Sequence, residues 1–187
     1  MDEKYVLVFL ADGFEEIEAL TVVDILRRAN VKCSMCTLEE KEVRGTHDIK
    51  VIADISIDNE SVKDYDGVIL PGGLPGATNL RDSEKVLNLI RDYNKKDKLI
   101  AAICAAPIVL SEAGLTEGKA ITSYPGFEEQ LGNCLYKEDL VVRDGNIITS
   151  RGPATAMLFA YEILNYFGYK REAENLYEGM LVKDLIK

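Results

Sequence analysis

Histidine is almost missing from this chain: His47 is the only one in 187 residues. A site made of several imidazoles is thereby excluded, and any hydrolytic centre that needs a histidine beside its nucleophile must use this one ring. Positive charge is short as well, with 22 Lys and Arg against 32 Asp and Glu and a net charge of −10. Phosphate-bearing partners want the opposite sign, so nucleic acid and membrane are excluded as partners. No apolar run approaches the ~20 residues of a membrane span. Met1-Asp2-Glu3-Lys4 leads directly into an apolar run and does not read as a signal peptide. The expectation is a cytoplasmic protein whose cysteines are reduced. Linkers, repeats and low-complexity segments are missing too. Residues 1–187 therefore read as one domain, and 47% hydrophobic content is enough for its core.

Four cysteines are present: Cys33, Cys36, Cys104 and Cys134. Cys33-Ser34-Met35-Cys36 has the spacing of a redox or zinc motif. It lies in a strand-like run, Val31 to Leu38, where residues three apart point to opposite faces. No second ligand pair stands at useful spacing, so neither metal nor cofactor is expected.

Cys104 has a different setting. It follows the apolar strand Lys98 to Ala101 and precedes a helix, Ile108 to Gly114. Ala102 and Ala106 stand two residues to either side. Small–x–nucleophile–x–small is the pattern of a nucleophile elbow, with Ala for Gly and Cys for Ser. Pro107 fits a first helical turn. A thiol there is expected to feel the positive end of the helix dipole and free backbone N–H groups, both of which favour the thiolate.

The rest of the chain alternates strands and helices, which implies a mostly parallel central sheet with helices on both faces. Tyr5 to Ala11 reads as a central strand. Asp12-Gly13-Phe14 turns the chain into a helix from Glu15 to about Asn30, opened by Glu15, Glu16 and Glu18. Acids suit a first helical turn. Three exceed that need, and at a strand's carboxyl end one of them can face the crevice. Ala19, Val22, Val23, Leu26 and Ala29 form the core stripe of this helix. Ile17, Leu20, Thr21, Asp24, Ile25 and Arg28 form a mixed face suited to a homodimer.

Residues 42–57, with His47, read as a hairpin or small edge strands. Asp66 to Leu70 is a strand ending in Pro71-Gly72-Gly73, an oxyanion-hole candidate. Leu74 to Ala77 continues that loop, and a helix runs from Ser83 to about Asn94. Ala120 to Pro125 reads as a strand, residues 140–150 as a hairpin about Asp144-Gly145, and Ala154 to about Phe167 as a helix. The last helix is expected from Lys170 to about Ile186.

Four segments together resemble the ThiJ/PfpI superfamily, most closely its parkinsonism-associated deglycase branch. They are residues 8–18, 68–73, 101–107 and 149–153, the last reading Thr149-Ser150-Arg151-Gly152-Pro153. The resemblance implies a flavodoxin-like α/β three-layer sandwich and a homodimer paired through the first helix. It implies that Cys104 is a reactive, easily oxidised nucleophile and that Glu18 is its protonated partner. Gly73 and Ala105 then offer backbone N–H groups to an oxyanion. Two departures stand out. Tyr124 occupies a position where many members carry a His. His47 stands where some members have an arginine near the active site across the dimer, which suggests a role in anion binding. Glu15, Arg28, His47 and Tyr124 are thus the candidate pocket residues.

Three activities follow. The first is a glutathione-independent glyoxalase or protein deglycase acting on glyoxal, methylglyoxal or their early protein adducts. Here Cys104 forms a hemithioacetal and Glu18 is the acid/base. The second is an oxidative-stress sensor or chaperone in which Cys104 becomes a sulfinate without turnover. The third, an intracellular peptidase, is disfavoured because no His follows Cys104.

Overall fold

The apolar run after Lys4 forms strand β1 (Tyr5–Leu10), in which Val6 to Leu10 are all buried. The computed structural model describes residues 2–59, 62 and 64–185. β1 has cores on both sides: Val6, Val8 and Leu10 enter one, Leu7 and Phe9 the other. A strand covered on both faces has no need of polar alternation, which is why the run is unbroken.

After β1 come α1 (Glu16–Arg28), β2 (Lys32–Thr37), β3 (Glu42–Arg44), β4 (Lys50–Ile52), β5 (Ile55–Ser56) and β6 (Gly67–Leu70). Then follow α2 (Gly76–Arg81), α3 (Glu84–Lys95), β7 (Leu99–Ile103), α4 (Pro107–Glu112), β8 (Ala120–Ile121) and β9 (Leu135–Tyr136). The chain closes with β10 (Val141–Asp144), β11 (Ile147–Ser150), α5 (Ala156–Tyr166), α6 (Lys170–Gly179) and α7 (Val182–Leu185).

Seven strands form the main sheet in the order β10-β11-β7-β6-β1-β2-β5. Every pairing is parallel except the β10–β11 hairpin, which turns about Asp144-Gly145 as expected. Side chains of α1, α5 and α6 fill the core on one face, and those of α2, α3 and α4 fill the other. This is the expected mostly parallel α/β sandwich. From β1 the chain moves first to β2 on one side and later to β6 on the other. The carboxyl ends of β1, β6 and β7 therefore lie side by side at the place where such sheets bind ligands.

Several local expectations change. Ile25 belongs to the core of α1, fully buried beside Val22 and Leu26, and leaves its mixed face narrower. The stretch after Gly73 is not all loop: α2 begins at Gly76 and is too short to show a helical period. The strand expected over Ala120 to Pro125 pairs only at Ala120 and Ile121, against β9 in a separate small sheet. Beyond them the Thr122 N–H turns aside to the Thr149 hydroxyl at 3.0 Å. The last helix is broken. α6 ends at Gly179, Leu181 takes φ 62°, and α7 restarts. A glycine at that point offers little helical propensity to carry the chain through. Ile186, the expected end, lies outside the described residues.

Cys33 and Cys36 fall where strand alternation puts them, one in each core. Burial pushes both thiols up to about 12. Among the described residues no helix is long and apolar enough to cross a membrane.

Candidate active site

Cys104 is the first residue beyond β7, and it adopts φ 63°. A non-glycine residue in that region is strained and persists only when its surroundings hold it. Both of its backbone groups are held. Its N–H donates to the Ser150 carbonyl at 2.9 Å, and its carbonyl accepts from Tyr124 N–H at 2.9 Å. Ala102 and Ala106 are fully buried, so the chain passes closely on either side of the turn. The elbow read from the small-residue pattern is present in the backbone.

Glu18 enters from the first turn of α1 and is fully buried. Its Oε2 accepts the Gly72 N–H at 2.8 Å, while Oε1 makes no conventional hydrogen bond. The group facing this carboxyl is the Cys104 thiol, and each affects the other's protonation. Burial raises the Glu18 pKa to about 7, against lowering interactions with Cys104 and the Gly72 N–H; the Glu15 charge adds to the rise. Burial also pushes the Cys104 thiol well above its usual range, and a charged Glu18 pushes it further. The N–H groups of Ala105 and Gly73 pull it down. The two acids titrate as a pair. With the proton on Glu18, repulsion disappears and the carboxyl can donate to a thiolate that two N–H groups also face.

Helix α4 contributes less than the sequence suggested. It has six residues and begins only at Pro107, so its dipole is small. The anion-stabilising groups are the local N–H donors.

Gly72 differs from its expected role. Its N–H is spent on Glu18 and is not free for an oxyanion, so Gly73 and Ala105 remain as donors. Its lack of a side chain is what lets the pair meet. A Cβ there would lie 2.7 Å from Cys104 Cβ, 2.7 Å from Glu18 Oε2 and 3.0 Å from the Ala105 nitrogen. Gly72→Ala is therefore expected to slow alkylation of Cys104 by iodoacetamide at least about tenfold and to cost about 1–3 kcal/mol in urea unfolding, as overpacking does. Unchanged rates would mean that thiol and carboxyl do not depend on this contact.

Glu15 is at the edge of the site. Its N–H donates to the Gly72 carbonyl at 2.9 Å, and its charge reaches Glu18. Tyr124 holds the elbow through its backbone, while its half-exposed ring lies over Gly152. Within the chain, His47 is engaged by the acids that open α1. Its Nδ1 is 2.9 Å from Glu16 Oε2 and 3.7 Å from Glu15 Oε2, so two carboxylates occupy it. Hydrogen bonding to Glu16 keeps this imidazole protonated to higher pH than usual. Arg28 is not brought to the thiol within the chain. It sits ten residues beyond Glu18, roughly 15 Å along the helix axis, and pairs with Asp24 at 2.6 Å.

Sequence reasoning gave no role to Ser150 or Thr155. The Ser150 carbonyl clamps the elbow, and its hydroxyl is 2.6 Å from that of Thr155 and donates to the Leu140 carbonyl at 2.8 Å. The available signal was a pair of small polar residues, Thr149-Ser150, ending an apolar strand beside the cysteine strand.

A thiol on a strained strand-to-helix turn, set against a buried carboxyl at the crevice of a parallel sheet, defines a class of α/β elbow proteins. Within it, the chain belongs to the DJ-1/PfpI family, whose pattern matches residues 4–166. It is 42% identical over 182 residues to Protein dj-1beta of Drosophila melanogaster, covering 96% of this chain and 97% of that protein. The crystal structure of Drosophila melanogaster DJ-1beta superposes with a TM-score of 0.91 at 41% identity, over 96% of this chain and 98% of that one. Toxoplasma gondii DJ-1, solved in an oxidized form, superposes with a TM-score of 0.89 at 35% identity, over 95% and 98% of the two chains.

Proposed function

We propose that this protein is a cysteine-dependent enzyme acting on α-oxoaldehydes such as methylglyoxal and glyoxal, or on their early protein adducts. The observation that carries this reading is the fully buried Glu18 carboxyl set against the elbow thiol of Cys104. In the first step the Cys104 sulfur adds to the aldehyde carbon, and the oxygen that becomes negative faces the N–H groups of Gly73 and Ala105. Protonation of that oxygen gives the hemithioacetal. Glu18 then takes the proton from the former aldehyde carbon and returns one to the neighbouring carbon. The product is a 2-hydroxy thioester. Water cleaves it, releasing lactate from methylglyoxal or glycolate from glyoxal and restoring the thiol. A carboxyl group whose pKa lies near 7 suits both directions of proton transfer.

The same reading takes the protein as a cytoplasmic homodimer paired through α1. Its outward face supports this: Ile17 is 56% exposed, with Leu20 and Thr21 half-buried beside it.

A second reading is favoured by one observation, the partly accessible thiol between two N–H donors. Peroxide would add two oxygens to Cys104 and be reduced to water, and the sulfinate would be held by Glu18 and those donors. A relative has been solved in an oxidized form. The peptidase reading loses ground, because the only imidazole is engaged by Glu16.

The test is D- and L-lactate formed from methylglyoxal by the pure protein. Lactate that accumulates over many turnovers supports the enzyme. No lactate, with Cys104 alone rapidly oxidised by peroxide, transfers the assignment to the sensor.

A further inference from the structure

We infer that Thr149 and Thr155 are positioning residues for Cys104, whose hydroxyls hold in place the two chain segments that clamp the elbow. Both readings above take Cys104 as the reacting thiol, and the inference rests on that alone.

Strand β11 is covered on both faces, and its first residues are accordingly apolar: Ile147 enters one core and Ile148 the other. Its last two residues are Thr149 and Ser150, both fully buried. A buried hydroxyl costs free energy unless it is bonded, and Val or Ala would fill these positions without that cost. By strand alternation the two hydroxyls face opposite sides of the sheet. Each leads to one of the two backbone bonds that hold Cys104 at φ 63°.

On one side, Thr149 Oγ1 accepts the Thr122 N–H at 3.0 Å. Two residues further on, the Tyr124 N–H donates to the Cys104 carbonyl at 2.9 Å. Thr122 is fully buried too, yet its own hydroxyl makes no hydrogen bond among the described residues. The Thr149 hydroxyl is thus what ties this segment to β11.

On the other side the bonds run in one direction. Gly152 N–H donates to Thr155 Oγ1 at 3.1 Å, Thr155 Oγ1 lies 2.6 Å from Ser150 Oγ, and Ser150 Oγ donates to the Leu140 carbonyl at 2.8 Å. Each hydroxyl has a single proton. Ser150 spends its own on Leu140, so the short contact is Thr155 donating to Ser150. The Gly152 carbonyl is served separately, by the Thr155 N–H at 2.9 Å. Ser150, fixed in this way, presents its carbonyl to the Cys104 N–H at 2.9 Å.

A strained residue keeps its conformation only while its surroundings hold it. A slackened elbow turns the thiol away from the N–H groups of Gly73 and Ala105 and from the Glu18 carboxyl. A misplacement of about 1 Å at a reacting atom costs up to roughly 10²-fold in rate.

The test compares Thr149→Val and Thr155→Val, which remove the hydroxyls and keep the shape, with Thr149→Ser and Thr155→Ser, which keep the hydroxyls. Each is checked for native circular dichroism. Iodoacetamide alkylation of Cys104, followed by mass spectrometry, is measured across the pH range in which Glu18 titrates. Glu15 and, beyond it, His47 are the other charged groups near that carboxyl, and all four variants leave them in place. In the wild type and both Ser variants the rate should pass an inflection near pH 7, where Glu18 changes charge beside the thiol. Both Val variants should lose this inflection and follow the single step of an isolated thiol. Their kcat for lactate should fall about 10- to 100-fold with the KM for methylglyoxal unchanged. Absence of lactate from every protein would remove the enzyme reading and leave the alkylation profiles to decide this inference. The two positions are independent, so a Val variant that does not fold leaves the other to be read. The inference is overturned if a folded Val variant keeps the wild-type profile, if the Ser variants lose the inflection as completely as the Val variants, or if the wild type has none.

Discussion

Cys104→Ala is expected to form lactate from methylglyoxal at least about 10³-fold more slowly than the wild type, because the covalent route disappears with the sulfur. The fold should survive. The side chain is only partly buried, and the replacement keeps the Cβ that the turn already accommodates at φ 63°. Product must be counted, since Cys134 is also partly exposed and any accessible thiol consumes aldehyde by reversible addition. Loss of aldehyde without lactate would be trapping, not catalysis. Turnover retained in Cys104→Ala would falsify the enzyme reading and leave the elbow without a chemical task.

Glu18→Gln has the second large effect, and it acts on two observables in opposite directions. Lactate formation should fall by about 10²–10⁴-fold, the range for losing a positioned acid/base. Stability should move the other way as pH rises. The Glu18 pKa goes from an ordinary 4.5 to about 7 on folding, mainly through burial. Between these values the native state holds a proton that the unfolded chain has released, so unfolding becomes easier with increasing pH. The stabilisation tied to this proton is complete below the unfolded value and is lost as pH passes through the folded one. The span corresponds to roughly 3 kcal/mol. Gln cannot ionise and has no such loss. Urea unfolding at pH 5 and pH 8 should therefore show Glu18→Gln gaining on the wild type by a few kcal/mol at the higher pH. Parallel pH profiles for the two proteins would mean that Glu18 ionises normally in the fold.

The elements that were legible are those whose cause is local. β1 is visible because a strand covered on both faces must be apolar throughout, and Val6 to Leu10 are. The elbow is visible because the turn needs small neighbours, and Ala102 and Ala106 supply them. α1 shows its core stripe, although Ile25 was misplaced because periodicity alone does not reveal that α5 packs close enough to bury it. What remained hidden depends on distant chain segments meeting. Which Glu of the first turn faces the thiol cannot be read from local pattern and is named only through the family resemblance; in the fold the Gly72 N–H, 54 residues away, holds Glu18 there. The engagement of His47 by Glu16 spans 31 residues, and no local pattern announces it. The break before α7 rests on a single positive φ at Leu181, a residue with no intrinsic preference for it.

Strand β2 lies next to the two-residue edge strand β5 and hides one thiol on each side, Cys33 and Cys36. To a membrane-free labelling reagent the native molecule presents two sulfhydryls and the unfolded one presents four. The slow pair then becomes a clock. Its rate of modification, compared with that of a free thiol, reports how often this side of the sheet comes apart while the rest of the chain stays folded, in the manner of native-state hydrogen exchange but with a count that mass spectrometry reads directly.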